Sequence, residues 1–209
     1  MKKQPVLEVK NLHIEFFDHE KPETAVEDFN LCLYPGEVVG IVGESGSGKS
    51  MSALAIAGLL NRRSLMKREG EILFSGENLL TCSRKKLRTF QGDEISMIFQ
   101  EPMTSLNPLL KIGVQVEESL RIHHKELSRE ERKTRALSML EKTGLRDVEQ
   151  VYRMYPHELS GGMRQRVMIA AAMIGDPEIL IADEPTTALD VTIQAQIVLL
   201  LQRIHQKKG

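Results

Sequence analysis

Residues 43 to 50 are the part of the sequence best suited to chemistry, and they match the pattern G-x-x-x-x-G-K-[ST]. Glycines let successive backbone N–H groups turn inward and approach phosphate oxygens closely. The lysine can reach the β- and γ-phosphates of a nucleotide, and the final hydroxyl can coordinate Mg²⁺. The pattern therefore predicts a binding loop for a nucleoside triphosphate, with Mg²⁺, formed by Gly43, Glu44, Ser45, Gly46, Ser47, Gly48, Lys49 and Ser50.

Two adjacent carboxylates, Asp183 and Glu184, follow the apolar run Ile179–Ala182. Open α/β sheets bind ligands at the carboxyl ends of their strands, so both acids are placed where a ligand is expected. Asp183 is suited to hold Mg²⁺, largely through its water shell, and Glu184 to polarise an attacking water as general base. Two acids after a strand are equally typical of a solvated strand end, but alongside a phosphate loop they favour ATP hydrolysis.

A second helix start that can bind an anion is predicted at Ser160. This serine is suited to be an N-cap, and Gly161 and Gly162 leave the first helical N–H groups uncovered. A capped helix with no ligand is an ordinary alternative for any Ser-Gly-Gly taken alone.

The hydrophobic pattern shows which elements must position these residues. Apolar residues from Leu7 to Phe16, and from Phe29 to Leu33, largely alternate with polar ones, which predicts half-buried strands. Nearly continuous apolar runs at 38–42, 95–99 and 179–182 predict strands that are buried on both faces. Helical stretches at 50–60 and 167–173 lie between these runs, so we expect an α/β core with parallel strands.

The segment from about residue 103 to 158 has helical periodicity instead, which predicts helices over 113–124 and 128–144. Its clearest helix begins with Ser128 as N-cap and Glu131 three residues later, and Gly144 is placed to end it. This segment is predicted to be a mostly helical lobe inserted into the core.

Composition excludes some functions. There are 28 basic and 29 acidic residues, and the formal net charge of -1 argues against a broad electrostatic grip on nucleic acid. The basic run at 84–88 is predicted to be a solvated helical face rather than a binding patch. No apolar run approaches the roughly 20 residues that span a bilayer, so a membrane role would require another chain to cross the membrane.

The segment 159–166, Leu-Ser-Gly-Gly-Met-Arg-Gln-Arg, resembles the LSGGQ signature of ABC ATPases. Met163 stands at the usual glutamine position, and Gln165 follows two residues later. The segments 97–109, 155–170 and 182–197 strongly resemble the peptide/nickel importer branch of that family. The resemblance extends from about residue 6 to the end of the chain.

This resemblance implies a fold as well. We expect one ABC ATPase domain of the P-loop NTPase type, with an α/β core, an N-terminal antiparallel β-subdomain and an inserted helical subdomain. The β-subdomain and the phosphate-loop part of the core are placed at 1–100, and the helical subdomain at 101–158. The signature, the carboxylate pair and the following D-loop are placed at 159–209.

Several site residues are implied only by the resemblance. Ser160, Gly161, Gly162 and Gln165 are expected to contact ATP held by a partner subunit. Gln100 matches a glutamine that touches Mg²⁺ and senses the membrane subunits, so the resemblance implies that it is catalytic together with Lys49 and Glu184. Asp190 matches the aspartate of the D-loop, and Phe16 the aromatic residue that stacks on adenine, although Phe17 adjoins it.

The implied function is an ATP-hydrolysing subunit that drives import of oligopeptides or dipeptides from the cytoplasmic face of the cell membrane. Its implied partners are a homologous ATPase in a head-to-tail dimer, two separate permeases and, indirectly, an extracellular solute-binding protein. A nickel importer of the same family and a soluble ABC ATPase without a membrane partner are the alternatives. A third is a regulatory module that binds ATP without hydrolysing it, and the cargo stays open.

One departure from the family concerns the end of the chain. The family carries a histidine that contacts the γ-phosphate after one further strand, and residues 204–209 offer no equivalent. We therefore expect a C-terminally truncated protein whose last strands are absent, and which binds ATP but hydrolyses it poorly because its γ-phosphate contacts are incomplete.

Overall fold

The computed structural model describes residues 4–18, 21–60, 65–100 and 105–184, together with 194, 195, 199 and 202. The chain divides into two units, one running to Arg88 and the other beginning at Thr89. The strands are β1 (Leu7–Asp18), β2 (Lys21–Leu33), β3 (Leu65–Phe74), β4 (Glu77–Asn78), β5 (Ile95–Ile98) and β6 (Ile179–Ala182). The helices are α1 (Lys49–Ile56), α2 (Arg84–Phe90), α3 (Ile112–Val116), α4 (Glu118–His123), α5 (Arg129–Lys142), α6 (Val148–Arg153) and α7 (Gly161–Met173), with a 3-10 turn at Pro156–Glu158.

The first unit contains a four-stranded sheet in the order β2-β1-β3-β4. All its pairings are antiparallel, and four apolar side chains of β1 are buried, namely Leu7, Val9, Leu12 and Ile14. The predicted half-buried strands are therefore confirmed. A register shift in β1 leaves Asn11 at a φ of +46°, and Gly70 of β3 passes so close that a Cβ there would lie 2.4 Å from the Asn11 carbonyl oxygen.

The second unit is organised around α7, which is buried on two sides. One face packs with the helical lobe through Val167 and Ala170, and the other with β5 through Met168 and Ile169. A helix that is apolar nearly all round is expected to lie inside a fold. Strands β5 and β6 pair in parallel, as predicted, with Ile95 opposite Ile179 and Ile98 opposite Ala182.

Helix α5 has the predicted termini. The Glu131 N–H donates to the Ser128 hydroxyl at 3.2 Å, and the Ser128 N–H donates to the Glu131 carboxylate at 2.8 Å, which completes a capping box. That backbone donor lowers the pKa of the Glu131 carboxyl below its ordinary value. Gly144 ends the helix at a φ of +82°, and the Leu145 N–H reaches back to the Leu140 carbonyl, which is the Schellman arrangement.

The prediction of a strand over the apolar run 38–42 is wrong, because this run forms no strand in the structure. Its side chains are exposed, with Val38 at 74% and Val42 at 96%. A strand persists only when neighbouring backbone groups pair with it, and none of the described strands pairs with this run. Among the described residues, the parallel sheet therefore has two strands, where three apolar runs predicted three.

Two predicted helices also differ in length. Helix α1 stops at Ile56 instead of Leu60, because Gly58 adopts a φ of +69° and closes the helix with a Schellman arrangement of its own. The predicted helix over 113–124 is divided into α3 and α4 at Glu117. The placement of a helical subdomain at 101–158 stays a prediction. Within the described ranges, no helix is long and apolar enough to cross a membrane.

We predict that Ser128→Ala lowers the free energy of unfolding by about 1 kcal/mol, because α5 loses its N-cap acceptor. Urea unfolding of the 209-residue chain measures this change. The control is Ser138→Ala, at an exposed position inside the same helix, where alanine has the higher helix propensity and the change is expected to be neutral or slightly stabilising. Equal losses in the two variants would contradict the role of the capping box.

Candidate nucleotide-binding site

The phosphate loop lies in the first unit and leads into α1. Gly46 and Gly48 have φ values of +81° and +85°, and Gly48 is the N-cap of the helix. A Cβ at position 48 would lie 2.2 Å from the Ala25 carbonyl oxygen of β2. The loop therefore passes against the backbone of β2 with no room for a side chain, and this close approach makes glycine necessary at position 48.

Lys49 lies at the mouth of this loop. Its Nζ donates to the carbonyl oxygens of Gly43 at 2.8 Å and of Glu44 at 2.7 Å. Residues 43–47 are exposed, and 48–50 are half-buried, so the loop is open to a ligand. The ammonium group and the first N–H groups of α1 place positive charge at one location, as binding of a phosphate requires.

The carboxyl ends of β5 and β6 bring together two residues that are 84 positions apart. The Asp183 N–H donates to the Ile98 carbonyl at 3.0 Å, which continues the strand pairing by one residue. One residue further on, Gln100 Nε2 donates to Glu184 Oε2 at 2.7 Å. The matched register of the two strands therefore places the Gln100 amide directly against the Glu184 carboxylate.

Glu184 also has an unusual backbone conformation, with a φ of +43°. A non-glycine residue in this region costs on the order of 1–3 kcal/mol and is maintained by its surroundings. Such strain is frequent at functional positions. Asp183 and Gln100 offer a carboxylate and an amide oxygen, which are the hard oxygen donors that Mg²⁺ prefers, so this donor set fits the metal.

The signature segment forms the beginning of α7, in the second unit. The Ser160 hydroxyl accepts a hydrogen bond from the Met163 N–H at 3.3 Å, which confirms the predicted N-cap. A Cβ at Gly161 would meet nothing within 4 Å, so the space beside the helix start is open. Arg164 Nε donates to the Leu159 carbonyl at 2.9 Å and ties the helix to the residue before its cap.

Gln165 of the signature segment is buried within the chain. Its side chain is only 1% exposed, because it lies on the face of α7 that also carries Met168, Ile169 and Ala172 and packs toward the sheet. Contact of Gln165 with ATP held by another subunit stays a prediction, and it would require the side chain to leave this packing.

Two further predicted residues stay untested. Phe16 lies in β1, half-buried, opposite Glu23 of β2 and Leu65 of β3. Stacking of Phe16 on adenine stays a prediction. Asp190 lies outside the described residues.

The phosphate loop, the parallel strand pair with Asp183 and Glu184 after β6, and the glycine-rich helix start are together typical of α/β proteins of the P-loop class. Comparison with known proteins agrees, since the family model described as ABC transporter matches residues 26–187. The chain belongs to this family.

Named relatives narrow the comparison. A dipeptide transport ATP-binding protein of Lactococcus lactis is 47% identical over 207 residues, covering 99% of this chain and 59% of the relative. Its Bacillus subtilis counterpart is 48% identical over 204 residues, covering 98% and 61%. The chain thus spans about three fifths of the length of these curated relatives.

Solved structures show the same fold. The dimeric ATP-binding cassette MJ0796, in a post-hydrolysis state bound to ADP and Pi, is similar with a TM-score of 0.85 and 33% identity, covering 97% of this chain and 84% of that one. The cbiO1 protein of Clostridium perfringens, part of an ABC transporter complex, has a TM-score of 0.76 and 28% identity, covering 99% and 76%. A mixed α/β fold with an antiparallel N-terminal sheet and a parallel sheet was predicted and is confirmed.

We predict that Gly48→Ala reduces affinity for a fluorescent ATP analogue at least about tenfold, since left-handed strain costs roughly 1–2 kcal/mol before the steric conflict with Ala25 is added. Fluorescence titration measures the affinity. Gly40→Ala is the control, because a Cβ at Gly40 meets nothing within 4 Å. Unchanged affinity in the Gly48 variant would show that the close approach to β2 does not shape the binding loop.

Proposed function

We propose that the protein containing this chain is an ATP-hydrolysing subunit that energises an importer of oligopeptides or dipeptides. The observation that carries the proposal is the open glycine loop at 43–50, with the Lys49 ammonium at its mouth and α1 beginning directly behind it. Family membership supports ATP as the ligand, and the names of the curated relatives support peptide import. Those names favour peptides over nickel as the cargo.

The proposed chemistry divides among few residues. Backbone N–H groups of the loop and Lys49 bind the β- and γ-phosphates of ATP. Ser50, Gln100 and Asp183 would hold Mg²⁺, which neutralises charge on the phosphates when it is bound. Glu184 accepts a proton from the attacking water as general base, and the Gln100 amide at 2.7 Å orients its carboxylate.

The second half of the site is proposed to come from another subunit. Ser160, Gly161 and Gly162 present the N-terminus of α7, and such a helix end attracts the γ-phosphate of a partner's ATP. A head-to-tail pair of ATPase subunits satisfies this requirement, and the similarity to a dimeric cassette supports it. Asp190 at the dimer contact and Phe16 against adenine belong to the same proposal.

The proposed assembly places this subunit at the cytoplasmic face of the membrane, bound to two permease subunits that an extracellular solute-binding protein supplies with peptide. The names of the relatives, which describe dipeptide transport ATP-binding proteins, support the role in transport, and the permeases and the solute-binding protein are implied by the family resemblance. The proposed organisation of the chain is the β-subdomain with the loop at 1–100, a helical subdomain at 101–158 and the remaining core at 159–209. No nucleic-acid partner is proposed, given the net charge of -1.

We predict that Glu184→Gln in the full-length protein lowers kcat by about 10²- to 10⁴-fold, because the general base is lost. ATP binding and ATP-dependent dimerisation are expected to persist, since the amide keeps the size of the side chain. Phosphate release and sedimentation velocity measure the two effects. The control is Glu178→Gln. Glu178 is exposed and directly precedes β6, at the end of the strand opposite to Glu184, so this change should leave turnover unchanged. Full turnover by the Glu184 variant would refute the assignment of the base.

We predict a different defect for Lys49→Ala, which removes charge-assisted hydrogen bonds to phosphate worth roughly 1.5–3 kcal/mol. The affinity for ATP should therefore fall about 10- to 100-fold. Equilibrium binding of a fluorescent ATP analogue measures the loss. Lys85→Ala, on the exposed face of α2, removes the same charge elsewhere and should bind normally. If both variants bound equally well, Lys49 would have no part in holding the phosphates.

A further inference from the structure

Arg166 lies in α7, six positions beyond the Ser160 cap, and contacts a different helix. Its Nη1 donates to the Thr143 carbonyl oxygen at 2.6 Å. Thr143 is the C-cap of α5 and is fully buried. The bond therefore joins the helix that begins with the signature to the end of the longest helix of the lobe.

The surroundings of this bond suit a cation. The last carbonyl groups of a helix carry partial negative charge, so a guanidinium group at the end of α5 is favourable. Gly144 follows Thr143, and a Cβ at Gly144 would lie 2.7 Å from Arg166 Nη1. The glycine thus ends α5 at a φ of +82° and also leaves room for the arginine.

The contact lies at the edge of the apolar core of the second unit, where Leu145 is buried and Met163 packs against the core. A surface cavity of about 370 Å³ lies beside it, and its walls include Leu145, Met154 and Met163. Met163 belongs to the first turn of α7, whose N–H groups form the proposed anion site. Beside this cavity, the hydrogen bond from Arg166 adds a directional, charge-assisted contact to the apolar packing that holds α7.

We infer that Arg166 is a positioning residue, which holds the N-terminus of α7 in the orientation that engages ATP on a partner subunit. The inference rests on the proposed function. The inference assigns two roles within one motif. Ser160, Gly161 and Gly162 contact the nucleotide, and Arg166 orients them without contacting the nucleotide itself. Loss of Arg166 should weaken ATP-dependent pairing of subunits and leave ATP binding to the phosphate loop unchanged.

The experiment uses the full-length protein with Glu184→Gln, so that ATP-bound dimers accumulate. Arg166→Ala and Arg166→Lys are compared with Arg121→Ala, which removes an arginine from α4 whose pair with Glu118 is exposed. Sedimentation velocity gives the dimer dissociation constant, titration of a fluorescent ATP analogue gives nucleotide affinity, and hydrogen exchange reports protection of residues 159–166.

Arg166→Ala is expected to weaken the dimer about tenfold, through loss of one charge-assisted hydrogen bond. Nucleotide affinity should stay within about twofold, and exchange over 159–166 should accelerate. Lysine should restore most of the dimer, because a single N–H donor is sufficient for the Thr143 carbonyl. The inference is overturned if Arg166→Ala and Arg121→Ala dimerise equally well, or if nucleotide affinity falls as much as dimer affinity.

A second variant and the behaviour of the reference protein complete the experiment. Gly144→Ala crowds the guanidinium without removing its charge, so it should also accelerate hydrogen exchange over 159–166. This variant replaces Arg166→Ala in the comparison if Arg166→Ala does not fold. If the Glu184→Gln reference itself fails to dimerise with ATP, the proposed function is contradicted. In that case the positioning role of Arg166 is tested by hydrogen exchange alone. Unchanged protection of α7 in the Arg166 and Gly144 variants would overturn this role.

Discussion

The parallel pairing of β5 with β6 is the constraint on which the proposed catalytic chemistry depends. Its register places Ile98 opposite Ala182, and the Asp183 N–H continues the pairing to the Ile98 carbonyl. A slip of one residue would reverse the faces of all the following side chains. Because the register holds, the Gln100 amide and the Glu184 carboxylate meet at 2.7 Å, and the strained backbone at Glu184 is maintained.

Helix α7 connects this strand pair to the helical lobe. Its apolar residues divide between two clusters, one around β5 and the other around α3, α5 and α6. Because both faces are packed, the N-terminus of the helix cannot turn without disturbing one cluster or the other. The proposed site for a partner's phosphate is therefore supported by the same residues that form the core of the second unit.

The phosphate loop obeys a more local constraint. Gly48 must avoid the Ala25 carbonyl, and the left-handed conformations of Gly46 and Gly48 turn the chain sharply before α1. Lys49 then lies over the beginning of the loop, held by two carbonyl oxygens. The left-handed conformations that shape the loop belong to residues of the pattern itself, which explains why a short sequence pattern identifies it so well.

Local features were determined by the sequence alone. The glycine loop, the Ser128 capping box, the Gly144 helix end and the Ser160 cap each depend on residues within a few positions of one another, so spacing was sufficient. Tertiary structure alone decided which distant groups meet. It joined Gln100 to Glu184 and Arg166 to Thr143, buried Gln165, and left the apolar run at 38–42 without a partner among the described strands. These outcomes depend on strand register and helix packing. Hydrophobic periodicity indicates which face of an element is buried, but it does not indicate which element packs against that face.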